Sequence, residues 1–291
     1  MPPQTRIQIA KADIVKVLDA YPSRVIHHAE LGRILAEHRG GWRLAQATGL
    51  SDFVSFLESK SKLVRYVLSF PHSPVTVYSW GTVSPYELAM AIGPNAYISH
   101  FSAAFLQGIA EQVPKTIYAT VPQPRKSAVP VLTQEDIDKS FAHPDRESSS
   151  VATVDVHRLV RLTGMDTGGV GIHDIDLPER GKARVTTLER TLIDITVRPN
   201  YAGGPAHVIE IFRLAKSRGA STNHLLALLK SLRFAYPYHQ AIGFYLERAG
   251  YSAAAQELVL RLGLHHDFYL THGMVRSEYS PKWRLHFPEG L

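Results

Sequence analysis

Apolar residues in the first part of the chain fall at helical spacing. Ile14, Val17, Leu18 and Tyr21 recur at i, i+3, i+4 and i+7, the stripe of an amphipathic helix, and Pro22 ends it. Leu31, Ile34 and Leu35 repeat the stripe in a second helix, closed by Gly40-Gly41. After Trp42 to Thr48, Gly49 breaks the chain and Ser51 stands where a third helix wants its cap. Leu50, Phe53, Phe56 and Leu57 gather on one side of that helix. The period then shortens to two. Val64, Tyr66, Leu68 and Phe70 alternate with Leu63, Arg65, Val67 and Ser69, as in a strand with one buried face. Turn chemistry in Pro71-His72-Ser73-Pro74 and a second run from Val75 to Trp80 complete a hairpin. Three helices and then a hairpin is the order of a winged helix-turn-helix, expected over residues 1–82, with Gly81 to Pro85 at its boundary.

Residues 83–291 mix both periods and predict a larger α/β domain, making the fold class α+β (mixed α/β). Ser99 to Ile109 is a helix candidate and Thr116 to Val121 a β-branched strand candidate. Pro122 to Ser150, rich in Pro, Ser and charge, predicts surface loops with one short helix. Strands are expected near Val170–Ile175 and Ala183–Thr186, then helices at about 187–196, 205–218, 222–233, 238–249 and 253–262. Strand candidates at Asp267–Thr271 and Trp283–Phe287 follow.

Charge narrows the picture. Lys and Arg number 32 against 26 Asp and Glu, a net +6, which favours an anionic partner by long-range attraction. Residues 1–83 hold ten of the cations and only six of the acids, so most of the excess sits in the smaller part. Cysteine is absent from the sequence, which excludes disulfides, thiolate metal sites and cysteine nucleophiles. Met1 to Gln8 do not read as a signal peptide, and no apolar run approaches the roughly 20 residues that span a bilayer. A soluble, cytoplasmic protein without a membrane partner is expected.

The third helix carries the candidate chemistry. Opposite Phe53 and Leu57 it bears Ser51, Asp52, Ser55, Glu58 and Ser59, with Lys62 just beyond. A helix entering the major groove needs small polar residues so that its backbone can approach the base edges, and Ser51, Ser55 and Ser59 meet that need. Arg43 before the helix, Lys60 and Lys62 at its end, and Arg65 on the wing are the candidates for phosphate contact, which sets register and affinity. A solvated helix face has the same composition, and Asp52 and Glu58 would repel phosphate if they faced it.

Catalytic patterns are incomplete. Asp136-Ile-Asp138 and Asp174-Ile-Asp176 would pair carboxylates along a strand, but the Gly-Ser step of a nucleotidyltransferase occurs nowhere, so surface acids are the expectation. Glu58-Ser59-Lys60 is the one acid-x-Lys triplet, and it lies in the third helix rather than on a C-terminal strand. His27-His28 and His265-His266 are adjacent pairs whose side chains diverge, so neither chelates a metal by itself. Gly168-Gly169-Val170-Gly171 precedes a strand and reads as a turn, not a phosphate loop. Ser99-His100 and Ser102 lack a third catalytic partner. No enzyme activity, cofactor or metal is expected.

Two longer stretches resemble a known family. They are Tyr97-Ile98-Ser99-His100-Phe101-Ser102-Ala103-Ala104-Phe105-Leu106-Gln107-Gly108-Ile109 with Gln112 to Tyr118, and Val185-Thr186-Thr187-Leu188-Glu189-Arg190-Thr191-Leu192-Ile193-Asp194 with Arg198-Pro199 and Gly203-Gly204. Together with Gly243-Phe244-Tyr245-Leu246-Glu247 they resemble the AbiEi antitoxin family. That resemblance implies a repressor that binds inverted repeats of double-stranded DNA in its own promoter, and the antitoxin of a type IV toxin–antitoxin pair linked with phage defence. It also implies a nucleotidyltransferase toxin as functional partner, countered by the C-terminal domain without a stable complex. The alternative is a stand-alone winged-helix transcription factor whose C-terminal domain senses a ligand or mediates assembly. The residues themselves give a fold role to part of the pattern: Leu188, Leu192 and Ile195 share one stripe of a core helix, with Thr187 near its start. Glu189 and Asp194 fall on different sides of that helix and do not make a paired acid site.

Overall fold

The computed structural model describes residues 3–124, 131–177 and 181–291. Among them are twelve α-helices and three sheets, an N-terminal helix–strand region followed by a larger α/β part. Of the expected loop from Pro122 to Ser150, positions 125–130 lie outside the described residues.

The N-terminal region runs α1 (Arg6–Ile9), α2 (Lys11–Asp19), β1 (Val25–His27), α3 (His28–His38), α4 (Leu50–Lys60), β2 (Leu63–Leu68) and β3 (Val75–Trp80). The stripes expected of α2, α3 and α4 converge: Ile14, Leu18, Leu31, Ile34, Phe53 and Leu57 are buried in one cluster with Tyr78 and Trp80 of β3. The short strand β1 was not foreseen. It pairs antiparallel with β3, so the sheet order is β1-β3-β2. Gly49, not Ser51, caps α4, because the Asp52 carboxylate accepts the Gly49 N–H at 3.1 Å from inside the first turn.

The hairpin departs from the simple one-face expectation. Leu63 lies opposite Trp80 and faces the helices, whereas Tyr66 and Leu68 lie opposite Val77 and Val75 and face the other way. Leu68, Phe70, Val77 and Val25 are buried with Leu88, Ile98, Ile117, Leu159 and Val185 of the larger part. Each face is therefore covered at a different stretch, and Val64 and Val67 are left exposed between them.

The larger part continues with α5 (Pro85–Met90), β4 (Tyr97–Ile98), α6 (His100–Leu106), β5 (Thr116–Gln123), α7 (Gln134–Phe141), β6 (Val151–Val154), β7 (His157–Met165), β8 (Ile172–Asp176), β9 (Lys182–Thr186) and α8 (Leu188–Val197). After a 3-10 turn at Pro199–Ala202 come α9 (Pro205–Ser217), α10 (Thr222–Leu232), α11 (Tyr238–Arg248), α12 (Ala253–Leu260), β10 (Phe268–Tyr269), β11 (Ser277–Ser280) and β12 (Leu285–Pro288). The central sheet has the order β6-β7-β5-β4-β9-β8, with β5 parallel to β7 and β4 parallel to β9. Its residues alternate as a two-sided sheet must: Ile117 and Leu159 face the hairpin and α5, while Tyr118, Val160 and Leu162 face Tyr201.

Polar and stacking contacts add to this shared core. Arg24 donates from Nε and Nη2 to the buried Glu87 carboxylate of α5, and from Nη1 to the Thr82 carbonyl. Phe70 stacks under the Arg161 guanidinium of β7 at 4.1 Å, and Arg161 Nη1 donates to Ser73 Oγ at the hairpin turn. Arg161 Nε and Nη2 are buried there without a hydrogen-bond partner among the described residues.

Asp136 and Asp138 lie on helix α7, so they do not share a strand face; Asp136 caps that helix at Thr133. Asp174 and Asp176 do sit on a strand, exposed and opposite Arg184 and Lys182.

The C-terminal helices pack around α11, and Gly243 is the close point. A Cβ there would overlap the six-membered ring of Trp283, which is fully buried and donates from Nε1 to Glu247. Gly243→Ala should therefore lower stability by about 1–3 kcal/mol through overpacking. Urea unfolding measures it, and an unchanged midpoint would show that Trp283 can move aside.

Candidate nucleic-acid interface and a polar cavity

Helix α4 presents its serines to solvent. At about 100° per residue, Ser51, Ser55 and Ser59 fall within an arc of about 80° opposite the buried Phe53 and Leu57. All three are exposed; Ser59 Oγ donates to the Phe56 carbonyl, and the hydroxyls of Ser51 and Ser55 make no hydrogen bond among the described residues. The two acids of concern are both engaged. Asp52 caps its own helix, and Glu58 accepts from Arg65 Nε at 2.8 Å and from Nη2 at 3.0 Å.

The expected phosphate contacts divide into two kinds. Arg65 is half-exposed but lies on the helix side of the hairpin, its guanidinium 5.5 Å from the Tyr78 ring centre. There it neutralises Glu58 as much as it offers charge. Lys62 is held by Asp19 at the end of α2 and lies 5.2 Å from the Trp80 ring centre, away from the serine arc. Asp19 also accepts from Trp80 Nε1, and these hydrogen bonds to Lys62 and Trp80 hold its carboxyl below the usual range. Lys60 and Arg43 are exposed and carry no ion pair among the described residues. Lys60 projects about 100° from Ser59 around the helix, and Arg43 holds a left-handed backbone, φ 53°, in the turn between α3 and α4.

A second constellation was not assembled by the sequence. A cavity of about 390 Å³ opens on the face of the central sheet away from the hairpin. Tyr97, Thr120, Leu162 and Gly164 line it from the sheet, and Arg190, Asp194, Val197 and Arg198 from α8 and its end. Tyr201, Leu232, Phe234, Arg146 and Ser148 enclose the remainder. Gly164 admits no side chain, because a Cβ would stand 2.6 Å from Thr120 Cγ2.

Its polar groups are held in place. Arg190 is buried, donating from Nε to Asp194 Oδ1 at 2.8 Å and from Nη1 to the Val170 carbonyl at 3.0 Å. The turn at 168–171 supplies that carbonyl, with all three glycines at positive φ as a turn requires. Ser99 Oγ sits 2.9 Å from His100 Nδ1 and 2.8 Å from Thr120 Oγ1. Burial pushes the His100 pKa down to about 4 against the pull of Asp194, with Arg198 and Arg190 reinforcing the fall. Burial likewise raises the Tyr97 hydroxyl to about 12, so it stays protonated. Glu189 turns elsewhere, to the Ser221 N–H, as expected of an acid on another side of α8. Thr187 caps that helix and Leu192 and Ile195 are fully buried, the core role read from the stripe.

The sequence matches no protein-family model and no curated protein. The fold is similar to that in the crystal structure of the RV2827C protein from Mycobacterium tuberculosis, with a TM-score of 0.56 over 98% of this chain and 93% of that one, at 16% identity. At that identity the likeness speaks for the fold.

The buried imidazole has a pH consequence. An unfolded histidine takes a proton near 6.5, whereas folded His100 stays neutral down to about 4. Its contribution is intact above the unfolded value and is lost as pH falls through that window, costing on the order of 3 kcal/mol. His100→Asn, a residue that tolerates the φ of 52° at this position, should flatten the loss of stability between neutral pH and the acid side of the window. Chemical denaturation at several pH values checks this; parallel curves for the two proteins would exclude His100 as the source.

Proposed function

We propose that this chain is a DNA-binding transcriptional repressor and the antitoxin of a type IV toxin–antitoxin pair. In this reading α4 and the β2–β3 hairpin bind inverted repeats in its own promoter, and residues 83–291 counteract a nucleotidyltransferase toxin. The observation that carries the DNA-binding half is the bare serine arc of α4. The hairpin packs on the larger part through Leu68, Phe70 and Val77, the face opposite the helices, so nothing described covers Ser51, Ser55 and Ser59. Small side chains there permit close approach to base edges, and Lys60 at the end of α4 and Arg43 in the turn before it are exposed cations with no ion pair among the described residues. The antitoxin half rests on the resemblance of Tyr97–Ile109 and Val185–Asp194 to the AbiEi family.

One observation favours a second reading, a stand-alone regulator with a ligand-sensing C-terminal domain: the polar cavity beside α8. A nucleotidyltransferase encoded beside this chain supports the antitoxin reading; its absence favours the other.

Binding to the upstream DNA and to a scrambled duplex, measured across a salt series, tests the operator reading. Selective binding that weakens with salt is expected. Lys60→Ala should reduce the slope of log K against log salt by about 0.9, the share of one phosphate contact. Lys62→Ala and Arg65→Ala should weaken binding less, because acidic partners already hold those charges. Ser55→Asp should cost at least about tenfold by placing a carboxylate at the groove. Equal, weak binding to both duplexes would overturn the proposal.

A further inference from the structure

The cavity beside α8 is lined by two chemically distinct sets of polar groups. Arg146 is exposed and carries no acidic partner among the described residues. Arg198 lines the same cavity, its Nη1 engaged by Asp145 while Nε and Nη2 make no hydrogen bond among the described residues. Asp194 gives Oδ1 to Arg190, and its Oδ2 accepts nothing among the described residues. His100 shares Nδ1 with the Ser99 hydroxyl and leaves Nε2 without a described partner. Tyr97, Tyr201 and Phe234 add ring surface to the lining.

We infer that this cavity binds a phosphate monoester of sugar-phosphate or nucleoside-monophosphate size, with its phosphate on Arg146 and Arg198, a hydroxyl or amino donor on Asp194 Oδ2 and a hydroxyl on His100 Nε2. Paired guanidinium groups match phosphate oxygens in geometry as well as in charge. The guanidinium groups lining the site are Arg146, Arg190 and Arg198; Arg190 is paired with Asp194 and Arg198 Nη1 with Asp145, which leaves Arg146 and the other nitrogens of Arg198 for an anion. Glu147, next in the chain, is not among the lining residues. The volume of about 390 Å³ falls in the lower part of the range for small-molecule sites and suits one monomeric unit. Asp194 Oδ2 can only accept, so a ligand donor is required there, while neutral His100 Nε2 accepts or donates according to the tautomer that its Nδ1 bond to Ser99 holds. The inference deepens the ligand-sensing reading and is independent of operator binding: its failure leaves the serine arc of α4 untouched.

Isothermal titration of the full chain with ribose 5-phosphate and with adenosine 5′-monophosphate tests it, with ribose, adenosine and inorganic phosphate as comparisons. At least one of the two esters should bind with Kd below about 1 mM, and the tighter one identifies the source of the phosphate. The parent ribose or adenosine should bind at least about tenfold more weakly. Arg146→Ala should weaken the ester about tenfold or more without changing the melting temperature of the free protein, and Arg146→Lys should restore part of the loss. Asp194 is unsuited to a first test, since removing it strands the buried Arg190 charge. Gly243→Ala, which strains the packing against Trp283 outside the cavity lining, serves as a control for loss through folding alone and should keep the Arg146-dependent binding. Absence of heat with both esters, equal affinity for ester and parent, or full affinity in Arg146→Ala would each overturn the inference.

Discussion

The β2–β3 hairpin buries both of its faces, and the placement of the rest follows from this. Tyr78 and Trp80 close the core under α2, α3 and α4, while Leu68, Phe70 and Val77 close the core above the central sheet. A hairpin of isolated strands is marginal in water, so each face needs cover. Its two covers leave the outer side of α4 uncommitted. The serine arc is thus free because the hairpin is not. The Arg65–Glu58 pair joins helix and hairpin at one corner.

Helix α8 plays the corresponding part in the larger region. Its apolar stripe, Leu192 and Ile195, is fully buried, yet Arg190 and Asp194 on a neighbouring face are nearly as inaccessible. Two charges can be kept out of water when they pair and their remaining hydrogen-bonding capacity is met. Here the pair at 2.8 Å is completed by the Val170 carbonyl from the glycine-rich turn, so that turn has a specific electrostatic duty. One carboxylate oxygen is left over for the cavity. That leftover acceptor, rather than the ion pair itself, gives the site its chemical direction.

Much of this was legible in the sequence where one face of one element decides the pattern. The stripes of α2, α3 and α4 and the helices from 188 to 260 follow the period of apolar residues, and each was expected within a few positions. Strands β6 and β7 were missed because β7 is covered on both faces and carries Arg158 and Arg161, which interrupt any alternation. Helix α5 was hidden in what looked like a boundary, although Ser84 and Glu87 form the capping box that announces it. The same motif logic misplaced the start of α4: the carboxylate at Asp52, three residues after Gly49, outcompetes the hydroxyl at Ser51. For the phosphate candidates, sequence supplied exposure but not partners, and the ion pairs of Lys62 and Arg65 depend on Asp19 and Glu58 in other elements. The cavity lay furthest from reach, since residues from Tyr97 to Phe234 meet there only through the sheet order.

Strand β7 connects the two candidate sites through ordinary alternation. Leu162 and Gly164 line the cavity on one face, while Leu159 and Arg161 on the other support the hairpin, with Arg161 stacked on Phe70 and bonded to Ser73. Successive side chains of one strand share a backbone, and packed interiors do not deform independently on their two sides. On the hairpin side Arg161 keeps Nε and Nη2 out of water without a partner among the described residues, and burial lowers its pKa. On the cavity side Arg190 is more deeply buried, yet Asp194 and the Val170 carbonyl take its donors and its pKa is raised. An arginine thus lies on each side of one sheet, and the difference between them is the carboxylate: Asp194 stands four residues along α8 from Arg190, whereas Arg161 has only the Phe70 ring and the Ser73 hydroxyl of the hairpin among the described residues.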